Sequence, residues 1–311
     1  MAPKQRSATV KVVLKAQRSA LGSLDERRVG ERAHKRYKKA VVAFIWWCWW
    51  TQLPLALDYE TLDNQAAFYL EHLYSEGESR NAAGDTLSGI QFFLRRKRIL
   101  SGAWEIYKSW LKAEGPYQVP PMPALVLQAL FGVAWASGDV GFVAVCALAF
   151  HCMLRTTEFL SACGTSVSLD SSNKGLVNLG KSKSGKRKGH NEFVAIEDPL
   201  VGFLVKLALA GSVSGRVFDG CPATFRARLD SYLASLGVSS LQFKPYSFRR
   251  GGATFDFQRF NSLDRTILRG RWESLRVARI YINEGLLAMT SFQLGPALNA
   301  NLLEAAALFK P

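Results

Sequence analysis

Apolar residues recur at helical spacing along most of the chain, and polar or proline-rich breaks cut that pattern into short segments. From about Ala33 to Glu114 the spacing predicts four helices, Val41 to Trp50, Leu62 to Tyr74, Asn81 to Leu94 and Ala103 to Leu111, enough for a small bundle domain over residues 31–114. The stretch GPYQVPPMP, residues 115–123, holds four prolines and a glycine, which neither helix nor strand tolerates, and reads as a linker. Beyond it, Ala124 to Ala136 and Val140 to Leu154 read as helices, and Leu176 to Leu179 with Phe193 to Ile196 reads as a hairpin around a basic, glycine-containing turn. Further helices are predicted at Pro222 to Leu236, Ser247 to Phe260 and Ser274 to Ile282, with an apolar one near Ala297 to Phe309. Residues 1–30 lack helical periodicity and read as a flexible basic arm. The fold class is therefore mainly α with a small β-hairpin or sheet, with a second domain over 124–285 and a tail helix over 286–311 whose apolar face suits docking on a neighbouring subunit or packing in cis.

Charge adds a partner to this picture. Forty Lys and Arg against twenty-five Asp and Glu give a formal net charge of +15, while 48% of the residues are hydrophobic. That apolar fraction builds cores and excludes a disordered basic tail protein; the charge predicts a polyanionic partner, DNA or an anionic membrane surface. The most apolar runs, Val41 to Trp50 and Val140 to Leu154, fall short of the roughly 20 residues that span a bilayer, so membrane spanning is not expected. The N-terminus has cations throughout and no apolar core of a secretory signal, which predicts an intracellular, reducing setting. Five cysteines without a CxxC pair and four scattered histidines indicate neither a disulfide framework nor a metal site. Residues 1–39 alone hold twelve basic and three acidic side chains. Arg95, Arg96, Lys97 and Arg98 close the third helix, where cations suit the helix dipole and can also meet phosphate. Trp46, Trp47, Trp49 and Trp50 read as a helix packed on most of its faces or as a partner interface, ahead of base stacking.

The chemistry candidates are few. Gly175 to Ser182 fits the P-loop pattern GxxxxGK[ST], but its flanks are neither a buried strand nor a helix start, so nucleotide binding is set aside. Leu154-Arg155-Thr156-Thr157-Glu158 puts an arginine at the end of the most apolar run, where it suits phosphate recognition with Glu158 as its brace, or forms an ordinary helix ion pair. In Tyr246-Ser247-Phe248-Arg249-Arg250-Gly251-Gly252-Ala253-Thr254, Ser247 reads as an N-cap, which sets Arg249 and Arg250 in a first helical turn that already favours anions. In Gly270-Arg271-Trp272 to Tyr281, Ser274 reads as the cap of a helix carrying Tyr281, itself flanked by two isoleucines as a core residue would be.

In this order the three segments resemble the boxes of the tyrosine recombinase family, the phage-integrase-like DNA strand-exchange enzymes. The first box, LRxxE, is matched by Leu154, Arg155 and Glu158; the second, His-x-x-Arg followed by small residues, is matched by Tyr246 to Thr254 except at its first position. The third has His or Trp nine residues before the nucleophilic tyrosine, as Trp272 stands to Tyr281. Between the first two boxes the family carries a hairpin lysine, and Ser182-Lys183-Ser184-Gly185 fits that place, with Lys181 and Lys186 as weaker choices. The resemblance covers about 115–285 and, more loosely, the preceding bundle, which looks like the family's core-binding domain.

The resemblance implies cleavage and rejoining of double-stranded DNA through a 3′-phosphotyrosyl link on Tyr281, with no cofactor, ATP or metal. Arg155 and Arg249 would neutralise the phosphate, Lys183 would protonate the departing 5′ oxygen, Trp272 would pack on the phosphate, Tyr246 would stand in the histidine position and Glu158 would brace the site. Arg95 to Arg98, Lys181, Lys186, Arg187, Lys188, Arg250 and Arg271 would contact DNA, within a C-shaped clamp acting as a homo-dimer or tetramer on DNA. A phenol with an ordinary pKa near 10 is a poor proton acceptor at neutral pH, which leaves slower or altered chemistry open, while the arginines, lysine and tyrosine remain. A type IB topoisomerase-like relaxing enzyme and a catalytically inactive, recombinase-derived DNA-binding protein stay open as alternatives. A mobile element of a eukaryotic genome, and hence a nuclear location, is the expected setting; otherwise the location is cytoplasmic.

Overall fold

The computed structural model describes residues 7–21, 28–54, 56–115, 118–180 and 191–311, and divides the chain into two compact units, Met1–Tyr117 and Gln118–Pro311. The hairpin turn with Lys181, Lys183, Lys186, Arg187 and Lys188 lies outside the described residues.

The first unit consists of α1 (Ala8–Leu21), α2 (Glu31–Trp50), α3 (Tyr59–Ser75), α4 (Arg80–Phe93) and α5 (Ser101–Ala113). Asp58 and Ser79 cap α3 and α4 through their own side chains, whereas the start of α5 is capped from a distance: the Asp63 carboxylate of α3 accepts the Gly102 and Ala103 N–H groups, each at 2.8 Å. Phe44, Cys48, Leu70, Leu87, Leu100 and Trp110 fill the core between these helices. The arm is a correction to the periodicity argument, because residues 8–21 are helical; their apolar positions are mostly exposed, so no buried stripe drove the pattern. Of the four clustered indoles, Trp47 packs on Tyr69 and His72, while Trp46, Trp49 and Trp50 are 62%, 67% and 80% exposed. Arg95 to Arg98 stand exposed in the turn that follows α4.

The second unit is built around α6 (Ala124–Ala136) and α7 (Val140–His151). Nine consecutive residues of α7, Phe142 to Phe150, are buried, so the helix is covered on all sides and shows no polar face. The sequence pattern runs this helix on to Leu154; the structure ends it at His151, turns left-handed at Met153 (φ 48°), and restarts as the short α8 (Thr156–Leu160). Strands β1 (Val167–Leu169), β2 (Gly175–Asn178) and β3 (Phe193–Ile196) follow in an antiparallel sheet of order β1-β2-β3. The predicted hairpin is β2–β3, with Val177 opposite Val194; β1 has only three residues, too few for an alternation to be read. Gly175 opens β2, paired with Leu169 and Ile196, and so forms no phosphate loop.

Then come α9 (Pro199–Ala210), α10 (Pro222–Ser235), α11 (Pro245–Phe260), α12 (Leu263–Gly270), α13 (Leu275–Tyr281), α14 (Glu284–Phe292) and α15 (Pro296–Ala307). The tail helix α15 packs in cis on α6, so closely that a Cβ on Gly132 would stand 1.7 Å from the Ala305 carbonyl oxygen, and Phe309 meets Phe131 and Trp135. α11 crosses α7 through Gly251 and Gly252: a Cβ on Gly252 would stand 2.0 Å from the Phe150 carbonyl oxygen. The paired glycines of the second box therefore set the distance at which Arg249 enters the site. Gly252→Ala is expected to destabilise this unit by at least about 2 kcal/mol, read as a lower unfolding midpoint of its transition, because backbone rather than a flexible side chain must move.

Candidate active site

The three sequence boxes meet at one place. The turn after α7 and the start of α8 bring Arg155 and Glu158, α11 brings Tyr246 and Arg249, and the segment from Gly270 through α13 brings Arg271, Trp272 and Tyr281. Ser247 is not the N-cap of α11 but its third residue. Pro245, with φ already set for a helix, starts the helix earlier, and the Ser247 hydroxyl accepts the Lys244 N–H at 3.0 Å.

Arg249 is the centre of the arrangement. It is the largest side chain with no exposure at all among the described residues, and its guanidinium donates to the carbonyl oxygens of Met153 and Gly270, the latter at 2.7 Å. One fork thus ties the residue just before the first box to the start of the third. The left-handed turn at Met153 aims that carbonyl inward. The same guanidinium lies 5.1 Å from the ring centroids of both Trp272 and Tyr281, whose rings are 4.6 Å apart. Burial, with Arg271 and Arg155 close by, lowers Arg249 to about 10, which leaves it charged at neutral pH. Arg249 Nε and the Trp272 indole N–H are buried and have no hydrogen-bond partner among the described residues. Such donors are costly to leave open, and both lie beside the Tyr281 ring.

Glu158 is shared by two arginines. Its Oε1 accepts from Arg155 Nη1 at 2.7 Å, and its Oε2 accepts the Arg155 backbone N–H at 2.8 Å and Arg271 Nη2 at 2.7 Å. Burial opposes its charge, but Arg271 and Arg155 hold the carboxyl below the ordinary glutamate value. Arg271 is a partly buried partner of Glu158 with Nη1 and Nε unpaired among the described residues; it sits at a left-handed C-cap (φ 57°), a conformation that its sequence does not signal.

Tyr281 faces Tyr246: the Tyr246 hydroxyl donates to Tyr281 Oη at 2.5 Å, with the rings 5.7 Å apart. Burial works against ionising Tyr281, but the Tyr246 hydroxyl, Arg249 and Arg155 outweigh it, and the phenol lies below the ordinary tyrosine value. Tyr246 is pushed up, by burial first and then by Tyr281. Arg250 is buried and donates to Gln118 Oε1 at 3.0 Å; the same oxygen accepts from Asn283 Nδ2 at 3.4 Å. Gln118 and Asn283 escape a motif-based reading because neither has a charge or a fixed place in a box. Asn283 follows Tyr281 closely and caps α14.

A second cluster was not legible at all. Glu197 pairs with Arg265 (2.6 Å) and Arg269 (2.5 Å), Asp256 accepts from Thr266 (2.8 Å), and a cleft of about 350 Å³ opens between them and His151. Three acids and three arginines line it, so it is a balanced ion-pair network that joins α11, α12 and the end of β3.

The architecture is that of the tyrosine recombinase fold. It is similar to the crystal structure of a lambda integrase dimer bound to a COC′ core site, with 13% sequence identity over 91% of this chain and 82% of that chain and a TM-score of 0.58. A XerH site-specific recombinase bound to difH substrate aligns at 14% identity over 76% of this chain and 70% of that chain, with a TM-score of 0.48. The XerA recombinase aligns at 14% over 88% and 95%, with a TM-score of 0.43. No family model matches the sequence, and no curated protein matches it.

Proposed function

We propose that this chain cleaves and rejoins double-stranded DNA as a tyrosine recombinase, with Tyr281 as the nucleophile. The observation that carries this reading is Arg249: a fully buried cation held by two backbone carbonyls directly beside a tyrosine ring, with donors left unpaired around it. In the proposed reaction the Tyr281 oxygen attacks a phosphodiester phosphorus, the 5′ oxygen leaves with the electron pair of the broken bond, and a 3′-phosphotyrosyl link conserves the bond energy for rejoining. Arg155 and Arg249 face the non-bridging oxygens as charge grows on them, Trp272 offers its N–H, and Glu158 fixes Arg155 and Arg271. Lys183 is the proposed proton donor to the 5′ oxygen. The lambda integrase likeness supports the fold on which this reading rests, and the net charge of +15 supports DNA as the partner. Assembly of copies on DNA is part of the same proposal.

The test is a nicked suicide duplex that lets the cleaved end diffuse away. A covalent protein–DNA band on a denaturing gel, without added metal or ATP, is the expected result. DNA binding with no band favours the inactive, DNA-binding reading, and supercoil relaxation without exchange between two sites favours a topoisomerase.

A further inference from the structure

We infer that Tyr246 acts as a fixed hydrogen-bond donor to Tyr281, so that Tyr281 reacts as a phenolate generated by solvent hydroxide and stabilised by the neighbouring hydroxyl. This rests on the reading of Tyr281 as the nucleophile. The phenol pair is the strongest geometric statement the site makes: the two hydroxyl oxygens are 2.5 Å apart, with Tyr246 donating. That separation is at the short end of the O–H···O range, about 2.5–3.0 Å, and suits a hydroxyl that donates to a developing phenolate.

The surroundings fix which phenol ionises. Facing the pair are Arg249 and Arg250 from α11, Arg155 from the start of α8 and Trp272 from the segment before α13. Glu158, the nearby carboxylate, is saturated by Arg155 and Arg271, and Glu192 bears on Arg155. Among the described residues no carboxylate and no imidazole is hydrogen-bonded to either phenol. Arg249 stacks on Tyr281 and Arg155 adds to its field, so a negative charge is better placed there than on Tyr246. Tyr246 keeps its proton and offers it.

The step balances without a further reagent. Hydroxide removes the Tyr281 proton as water, the phenolate oxygen forms the bond to phosphorus, and the 5′ oxygen departs with its electron pair and is protonated. In rejoining, the 5′-hydroxyl returns its proton to the group that supplied it, Lys183 on the proposed reading, as it attacks, and Tyr281 leaves as a phenolate that the Tyr246 O–H already stabilises. A donor at this position helps both directions by lowering the energy of the same anion.

The sign of the pH dependence follows. Below the Tyr281 pKa the reactive fraction rises with pH about tenfold per unit, and removing the donor raises that pKa. Tyr246→Phe is therefore expected to slow adduct formation on the nicked suicide duplex about tenfold near neutral pH, and the gap to wild type is expected to close as pH rises. Tyr246→His supplies an acceptor and is expected to move the rise in rate toward neutral pH. A second readout needs no activity: with ¹³Cζ-labelled tyrosine, the Tyr281 resonance, assigned by its loss in Tyr281→Phe, titrates at higher pH in Tyr246→Phe than in wild type. An unchanged or lower Tyr281 titration in Tyr246→Phe, or an equal rate at every pH, overturns the inference. If the resonance shifts as expected while wild type forms no adduct, the hydrogen bond stands and the recombinase reading fails. Should Tyr246→Phe not fold, wild type and Tyr246→His carry the test: a wild-type rate that does not follow the Tyr281 titration overturns it.

Discussion

Tyr281→Phe is expected to form no covalent adduct with the nicked duplex while still binding it. The phenyl ring retains the contacts that the packing uses: 4.6 Å to the Trp272 ring and 5.1 Å to the Arg249 guanidinium. Ala278 and Ile282 still anchor the helix end. Only the oxygen goes, so folding and affinity are expected to hold within about twofold, well inside the range that surface-scale changes produce. On the proposed mechanism the loss of chemistry is complete, because no other side chain of α13 can replace the Tyr281 oxygen. One neighbour makes this a sharp experiment: Tyr246 Oη lies 2.5 Å from the deleted oxygen. Denaturing gels with a 5′- or 3′-labelled strand, followed by peptide mapping of any adduct, distinguish the outcomes. An adduct that persists and maps to Tyr246 moves the nucleophile to α11; one mapping elsewhere removes the site altogether.

The site was legible where its residues stand at ends of elements that the hydrophobic pattern already defines. Arg155 follows the longest apolar run, Arg249 precedes two glycines, and Tyr281 closes a short helix with Ser274 as its cap. The bundle helices were readable because polar breaks and side-chain caps such as Asp58 and Ser79 punctuate them. What the sequence did not disclose depends on contacts without local signals. The left-handed turns at Met153 and Arg271 occur at non-glycine residues, so neither the break after α7 nor the pairing of Arg271 with Glu158 announces itself. α9 and α7 are apolar on most faces, and such helices carry no period. The capping role assigned to Ser247 failed because Pro245 begins the helix two residues earlier. The Glu197, Asp256, Arg265 and Arg269 network joins positions up to 72 residues apart, and pairing at that range is decided by the fold.

Arg249→Lys is expected to lower the rate of adduct formation by about 10²–10³, the range found when one preorganised donor to a developing oxyanion is removed. The charge survives this substitution, so the effect isolates the shape of the group. A guanidinium satisfies the Met153 and Gly270 carbonyls with two nitrogens, and its plane still faces the Trp272 and Tyr281 rings. An ammonium is a single point on a flexible stem; it cannot bridge both carbonyls and also face the phosphate. The carbonyl left unpaired beside the fully buried position 249 adds about 1–3 kcal/mol of destabilisation, measured as a lower unfolding midpoint. Arg155→Lys provides the contrast. Its side chain is 32% exposed and its ion pair with Glu158 is made by a carboxylate that Arg271 also holds, so its stability cost is expected to stay below about 1 kcal/mol while the rate still falls. An Arg249→Lys protein that reacts within about threefold of wild type would mean that the buried guanidinium holds the boxes together but does not face the phosphate. A rate loss without a stability loss would mean the reverse, that the two carbonyl contacts do not bear on folding. Measuring both on both variants separates the arginine that builds the site from the one that only works in it.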